Sequence, residues 1–193
     1  NVQINGGIEP VRAISARVDS DFLRALGVQP ALGRTFAAGD HQSGRDRVVI
    51  LSDAFWRQNF GADPAVIARD IIVNNATFEV IGVLPAGAHF DYFSAEPIQL
   101  YTPYPMTPDY TSRTASFASV RRVTAIGRLR DTATIEQADA ELRTIGQRLK
   151  TDHPQLYRRG SDGQDLGFTM GAAPLRRIVV GRGTRTAVVV LFA

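Results

Sequence analysis

The chain of 193 residues contains no cysteine, and only Lys150 among its 22 basic side chains is a lysine. Without cysteine there is no disulfide, no thiol nucleophile and no Cys-ligated zinc. That absence fits an extracytoplasmic bacterial domain, and many cytosolic domains share it. The remaining basic residues are all arginine, which GC-rich coding explains without a nucleic-acid partner. Arginine pairs stand at 121–122, 158–159 and 176–177, scattered among 19 acidic residues. A nucleic-acid face needs clustered charge with aromatics between, so none is expected here. No apolar run reaches the ~18 residues of a transmembrane helix. The opening "NVQINGG" is polar and unlike a signal peptide, so the chain reads as a fragment trimmed at both ends.

Recognisable reaction chemistry is also missing. His41, His89 and His153 have no histidine or cysteine three or four residues away, so no zinc spacing exists. Asp40, His41 and Asp46 can be drawn as a metal site, but "AGDHQSGRDR" reads more simply as a polar loop. No G-x-S-x-G elbow supports a serine nucleophile. "GRGTRT" (181–186) is basic and glycine-rich but lacks the lysine and spacing of a phosphate loop. Glu136, Asp139 and Glu141 alternate with Gln137, Arg143 and Arg148, the pattern of a solvated helix face. Trp56, with Phe55 and Phe60, reads as core rather than as a binding platform. No catalytic, cofactor-binding or metal-binding residue is assigned, and no cofactor is expected.

What is present belongs to a folded protein. The hydrophobic share is 44% and the charged share 21%, and the length suits one large domain or two small ones. "VQINGGIEPVRAISARV" predicts two short strands around an Asn-Gly-Gly turn. "SDFLRALGV" predicts a short helix capped by Ser20 and stopped by Gly27. "RVVILS" (47–52) predicts a buried strand, and Ser52 a cap for the helix "DAFWRQNF", which Gly61 ends. Asp63 with Pro64 marks another helical start. "DIIVNNATFEVIGVLP" (70–85) predicts a hairpin turning at Asn74 and Asn75. "PIQLYTPY" is expected as an edge strand because prolines flank it. Residues 105–116 read as a linker or long loop, and 119–130 as a long strand. "TIEQADAELRTIGQRLK" (134–150) is the strongest helix: Thr134 and Gln137 have capping-box spacing, and Ile135, Ala138, Leu142, Ile145 and Leu149 share one face. "DLGFTMGA" (165–172) predicts a last strand. If 37–118 is an insertion, the outer pieces form a split β-α-β unit in an α+β chain of two lobes.

Several motifs together resemble one family. They are Phe22 with Leu26-Gly27-Val28; Gly33-Arg34 with Phe36 and Asp40; Val49-Ile50-Leu51-Ser52 with Trp56; Gly61 with Pro64; and Ile81-Gly82-Val83 with Pro85. The chain resembles the periplasmic core domain of MacB-like ABC transporter permeases, within the wider FtsX-like group. It departs in one turn, where Ala68-Arg69 stands in place of a common Gly-Lys pair. The resemblance implies a porter-like lobe (1–36 plus 119–175), an inserted β-rich, sabre-like lobe (37–118), and a connector helix (176–193) leading into a truncated transmembrane helix. It implies a place outside the cytoplasmic membrane of a bacterium, with no catalysis in the domain itself. The implied partners are a second permease copy, a cytoplasmic ATPase reached through the membrane helices, and a periplasmic adaptor or substrate protein; alone, the fragment is expected to be a monomer. The implied task is coupling ATP-driven motion to substrate or partner handling in efflux. The alternatives are a module that binds lipoprotein, lipid or peptide directly, and a small enzyme with a loop site near 37–46. On the leading reading the motif residues serve the structure, and Arg34 pairs with Asp40 or caps carbonyls; the alternative is that Arg34 faces a partner. The ending "TAVVVLFA" is then the first turn of the membrane helix.

Overall fold

The computed structural model describes residues 2–5, 11–88, 90, 96–104, 125–154, 158–159, 164–165, 168–175 and 187–192. They belong to two compact units, Asn1–Thr107 and Pro108–Ala193.

The first unit is built on one mixed sheet. Its elements run β1 (Val2–Asn5), β2 (Val11–Ala13), β3 (Ser15–Val18), α1 (Phe22–Leu26), β4 (Leu32–Gly33), a 3-10 turn (Ala38–His41), β5 (Val48–Leu51), α2 (Asp53–Phe60), a second 3-10 turn (Pro64–Val66), β6 (Asp70–Val73), β7 (Ala76–Val83) and β8 (Leu100–Pro103). The strand order is β2-β1-β6-β7-β5-β8-β3, with β4 alongside β7. All four residues of β5 are buried, because the strand is covered on both faces. Val49 and Leu51 point to one cluster with Phe55, Trp56 and Phe60 of α2. Val48 and Ile50 point to the other, with Leu23 of α1, Phe36 and Tyr101. This is the period-two alternation of a strand serving two cores at once.

Local chemistry explains the elements that the sequence foretold. In the β6–β7 hairpin Val73 pairs with Ala76. Asn74 (φ 48°) and Asn75 (φ 65°) form its turn, a conformation asparagine tolerates better than most side chains. The Ser52 side chain accepts the Phe55 N–H at the start of α2, and Gly61 ends that helix at φ 63°. β1 and β2 pair antiparallel as expected, though the Asn-Gly-Gly turn between them falls outside the described residues.

Other elements differ from expectation. Ser20 does not cap α1: the residue before the helix is Asp21, which makes no side-chain cap. β8 is interior rather than an edge, lying antiparallel to β5 and parallel to β3. Its proline stands at the last position, Pro103, and the next amide, of Tyr104, donates to Val18 O at 2.8 Å. β1 pairs with β6 and β3 with β8, so one sheet holds strands from both 1–36 and 37–103. The expected linker over 105–116 lies outside the described residues, although the boundary between the units falls within it.

The second unit contains β9 (Ala125–Arg128), α3 (Ile135–Asp152), the two-residue pair β10 (Arg158–Arg159) and β11 (Gln164–Asp165), β12 (Met170–Pro174) and β13 (Ala187–Phe192). β9 is the described part of the strand expected over 119–130. The strand expected over 165–172 begins later, at Met170. α3 carries the capping box: Thr134 Oγ1 accepts the Gln137 amide and Gln137 Oε1 accepts the Thr134 amide. β12, β13 and β9 form a parallel sheet in that order. The expected connector helix meets a different outcome here. Residues 176–186 lie outside the described residues, but Ala187–Phe192 is a strand, paired on both sides with β12 and β9. A short run of β-branched residues suits a strand flanked by two others as well as it suits a helix. Among the described residues no helix is long and apolar enough to cross a membrane.

Candidate functional site

Five of the motif residues meet where β4 crosses β7. Gly33 pairs with Gly82, and Leu32 with Val83. Gly33 has φ +74°, and a Cβ there would stand 2.1 Å from the Ile81 carbonyl oxygen. On the facing strand, a Cβ at Gly82 would come within 2.7 Å of Arg34 O. Only two glycines allow this approach. A bulge on β7 accompanies it: Val49 pairs with Val80 and Ile50 with Gly82, which leaves Ile81 as the extra residue. The freed Ile81 carbonyl accepts the Arg34 amide at 2.8 Å. Through this crossing the chain passes from one core to the other, since Leu32 packs with the α2-side cluster and Phe36 with the α1-side cluster.

Arg34 then makes both contacts that the sequence suggested as alternatives. Nη1 donates to Asp40 Oδ2 at 2.6 Å and to Thr35 O at 3.1 Å, while Nη2 reaches Asp40 Oδ1 at 3.3 Å. Asp40 Oδ2 also accepts the Ala37 amide at 2.8 Å. The Arg34 side chain is about half exposed, at 51%, whereas that of Asp40 is 12% exposed. Burial alone would push the Asp40 carboxyl upward. The Arg34 hydrogen bond, the Ala37 amide and the nearby charges outweigh it, and the group lies below the ordinary aspartate range. Arg34 moves the other way, raised chiefly by its hydrogen bond to Asp40, against partial burial.

His41, read from sequence as part of a polar loop, is buried at 5% exposure. Its Nδ1 lies 2.8 Å from the Tyr104 carbonyl oxygen. A carbonyl only accepts, so Nδ1 is the donor in this contact. The His41 Nε2 is buried and has no hydrogen-bond partner among the described residues. The Phe36 ring lies edge-on to the imidazole at 6.3 Å. Gly33, Arg34, Phe36, Asp40 and His41 thus form one clasp whose far end is Tyr104, close to the end of the first unit. No motif spacing pointed to His41; its partner is 63 residues away in sequence. Asp46 is not drawn into a metal site with Asp40 and His41: its Oδ1 accepts the Gly44 amide, and no metal-binding group of three or more His, Cys, Asp or Glu occurs among the described residues.

The other motif residues lie elsewhere in the first unit. Trp56 is buried and its Nε1 donates to Asp63 O at 2.9 Å, tying α2 to the turn that Pro64 starts. Gly27 ends α1 at φ 70°. Phe22 lies edge-on to Phe90, with ring centres 5.3 Å apart, and faces Tyr101 at 6.2 Å. Pro85 follows β7, and its carbonyl accepts the Ala88 amide.

Comparison with known proteins is consistent across sequence and fold. The periplasmic region of MacB from Actinobacillus actinomycetemcomitans aligns over 79% of this chain and 63% of its own, at 17% identity and a TM-score of 0.53. The extracellular domain of the noncanonic ABC-type transporter YknZ from Gram-positive bacteria aligns over 79% of this chain and 71% of its own, at 18% identity and a TM-score of 0.53. At such identity these likenesses concern the fold, and the chain spans less than two thirds of the MacB region. No curated protein matches the chain in sequence. The family description of the MacB-like periplasmic core domain matches residues 2–145, well over half of the sequence. The chain belongs to the MacB-like periplasmic core domain family.

Proposed function

We propose that this chain is the extracytoplasmic domain of a MacB-like ABC transporter permease, and that it carries ATP-driven motion from the membrane helices to a substrate or partner outside. The family match over residues 2–145 carries this reading. The physical character of the first unit supports it. A sheet packed on both faces, with β5 wholly buried, is a close-packed body that resists internal deformation. Stiffness is what a transmitting element needs. In this reading the ATPase lies on a separate domain or subunit, the permease acts as a pair, and the motif residues keep the moving body rigid.

The test uses the intact permease with its ATPase in proteoliposomes. Replacing residues 2–107 by a short Gly/Ser linker should leave ATP hydrolysis in place and abolish export. Export that continues at the wild-type rate would refute the reading.

A further inference from the structure

The outer edge of β12 is closed by the chain itself. Among the described residues β12 pairs with β13 alone, and within them its other side is a sheet edge. Alternate residues of a strand direct their amides to the same edge, which groups Met170, Ala172 and Pro174. Each is unavailable to a new strand for a different reason. The Ala172 N–H donates to Asp139 Oδ1 of α3 at 2.9 Å. Pro174 has no N–H. Over Met170 lies the α3 backbone at Gly146, where an added Cβ would stand 3.3 Å from Met170 N.

The fit depends on glycine on both elements. At Gly171 an added Cβ would meet Asp139 Oδ1 at 2.8 Å, so a larger residue would displace the carboxylate from the Ala172 amide. The second oxygen, Asp139 Oδ2, accepts Arg143 Nε at 2.7 Å, one helical turn along α3. That ion pair leaves Oδ1 directed at the strand. Exposed sheet edges invite pairing with other chains, and proteins block them with charge and proline.

We propose that Asp139 is an edge guard: it occupies the place of a neighbouring strand on β12 and, with Pro174 and the Gly146 contact, prevents a second copy of this chain from adding a strand there. The guard is read by amide hydrogen exchange of Ala172 in the 193-residue chain. Asp139→Ala should speed that exchange by about tenfold or more relative to wild type, with the amides of β5 unchanged as a folding control. Gly171→Ala should do the same while leaving both charges in place, and the two together should be far from additive. Arg143→Ala should give a clearly smaller effect. Should Asp139→Ala cost α3 its protection, Asp139→Asn and Gly171→Ala give the reading instead. The pair Asp139→Ala with Pro174→Val frees two donors and should self-associate in sedimentation velocity where wild type does not. An unchanged Ala172 rate, an Arg143→Ala effect equal to that of Asp139→Ala, or no added self-association in the double variant would each overturn the proposal.

Discussion

Two side chains carry the most informative local energetics. Asp40 is held below the ordinary aspartate range in the folded chain. A lowered folded value means that the carboxylate stabilises the fold above the ordinary aspartate pKa, and that this contribution disappears as pH falls through the ordinary value towards the depressed one. Asp40→Asn removes the charge at every pH. The stability gap between wild type and Asp40→Asn should therefore shrink as pH drops from about 6 to about 3. Urea denaturation at several pH values measures it, and a gap that stays constant would count against the clasp. Ala68, where the sequence departs from the resemblance, has φ 63°. That conformation costs an alanine about 1–2 kcal/mol. Glycine avoids the strain but loses about 0.5–1 kcal/mol of chain entropy. Ala68→Gly should stabilise the chain by about 0.5 kcal/mol, seen as a higher urea midpoint with the same slope. The departure visible in the sequence is thus a strained turn, and its amide still donates to Val80 O at 2.8 Å.

Among the elements, the β4–β7 crossing is the most constrained. Gly33→Ala places a methyl against the Ile81 carbonyl at a backbone angle alanine disfavours. We expect a loss of at least about 2 kcal/mol in denaturant unfolding. A loss below about 0.5 kcal/mol, the range of ordinary surface substitutions, would show that the crossing relaxes. The sequence marked Gly33 and Gly82 as motif positions, but nothing local says that they face one another. By contrast, α2, the β6–β7 hairpin and α3 were legible, because caps and turns act over a few residues: Ser52 with Phe55, Asn74 with Asn75, Thr134 with Gln137. β8 reads from sequence as an edge because its prolines are local, while its neighbours β5 and β3 are distant in the chain. His41 reads from sequence as part of a polar loop for the same reason, since its partner Tyr104 lies on a distant stretch of the chain.

At the scale of the molecule, the single tryptophan, Trp56, reports on the first unit alone. If the two units unfold separately, its fluorescence and the far-ultraviolet circular dichroism of the whole chain should give different denaturation midpoints. Coincident curves would mean one cooperative body. The sequence by itself determined the family and the elements governed by near neighbours: the capped helices, the Asn74-Asn75 hairpin and the doubly buried β5. Only the tertiary structure decided the sheet order, the union of residues 1–36 with 37–103 in one sheet, and the strand at Ala187–Phe192 in place of a helix. The reason is physical. A cap or turn lowers the energy of its own few residues, whereas strand partners are chosen by burial shared across the whole chain, and a short apolar run satisfies several such choices equally well.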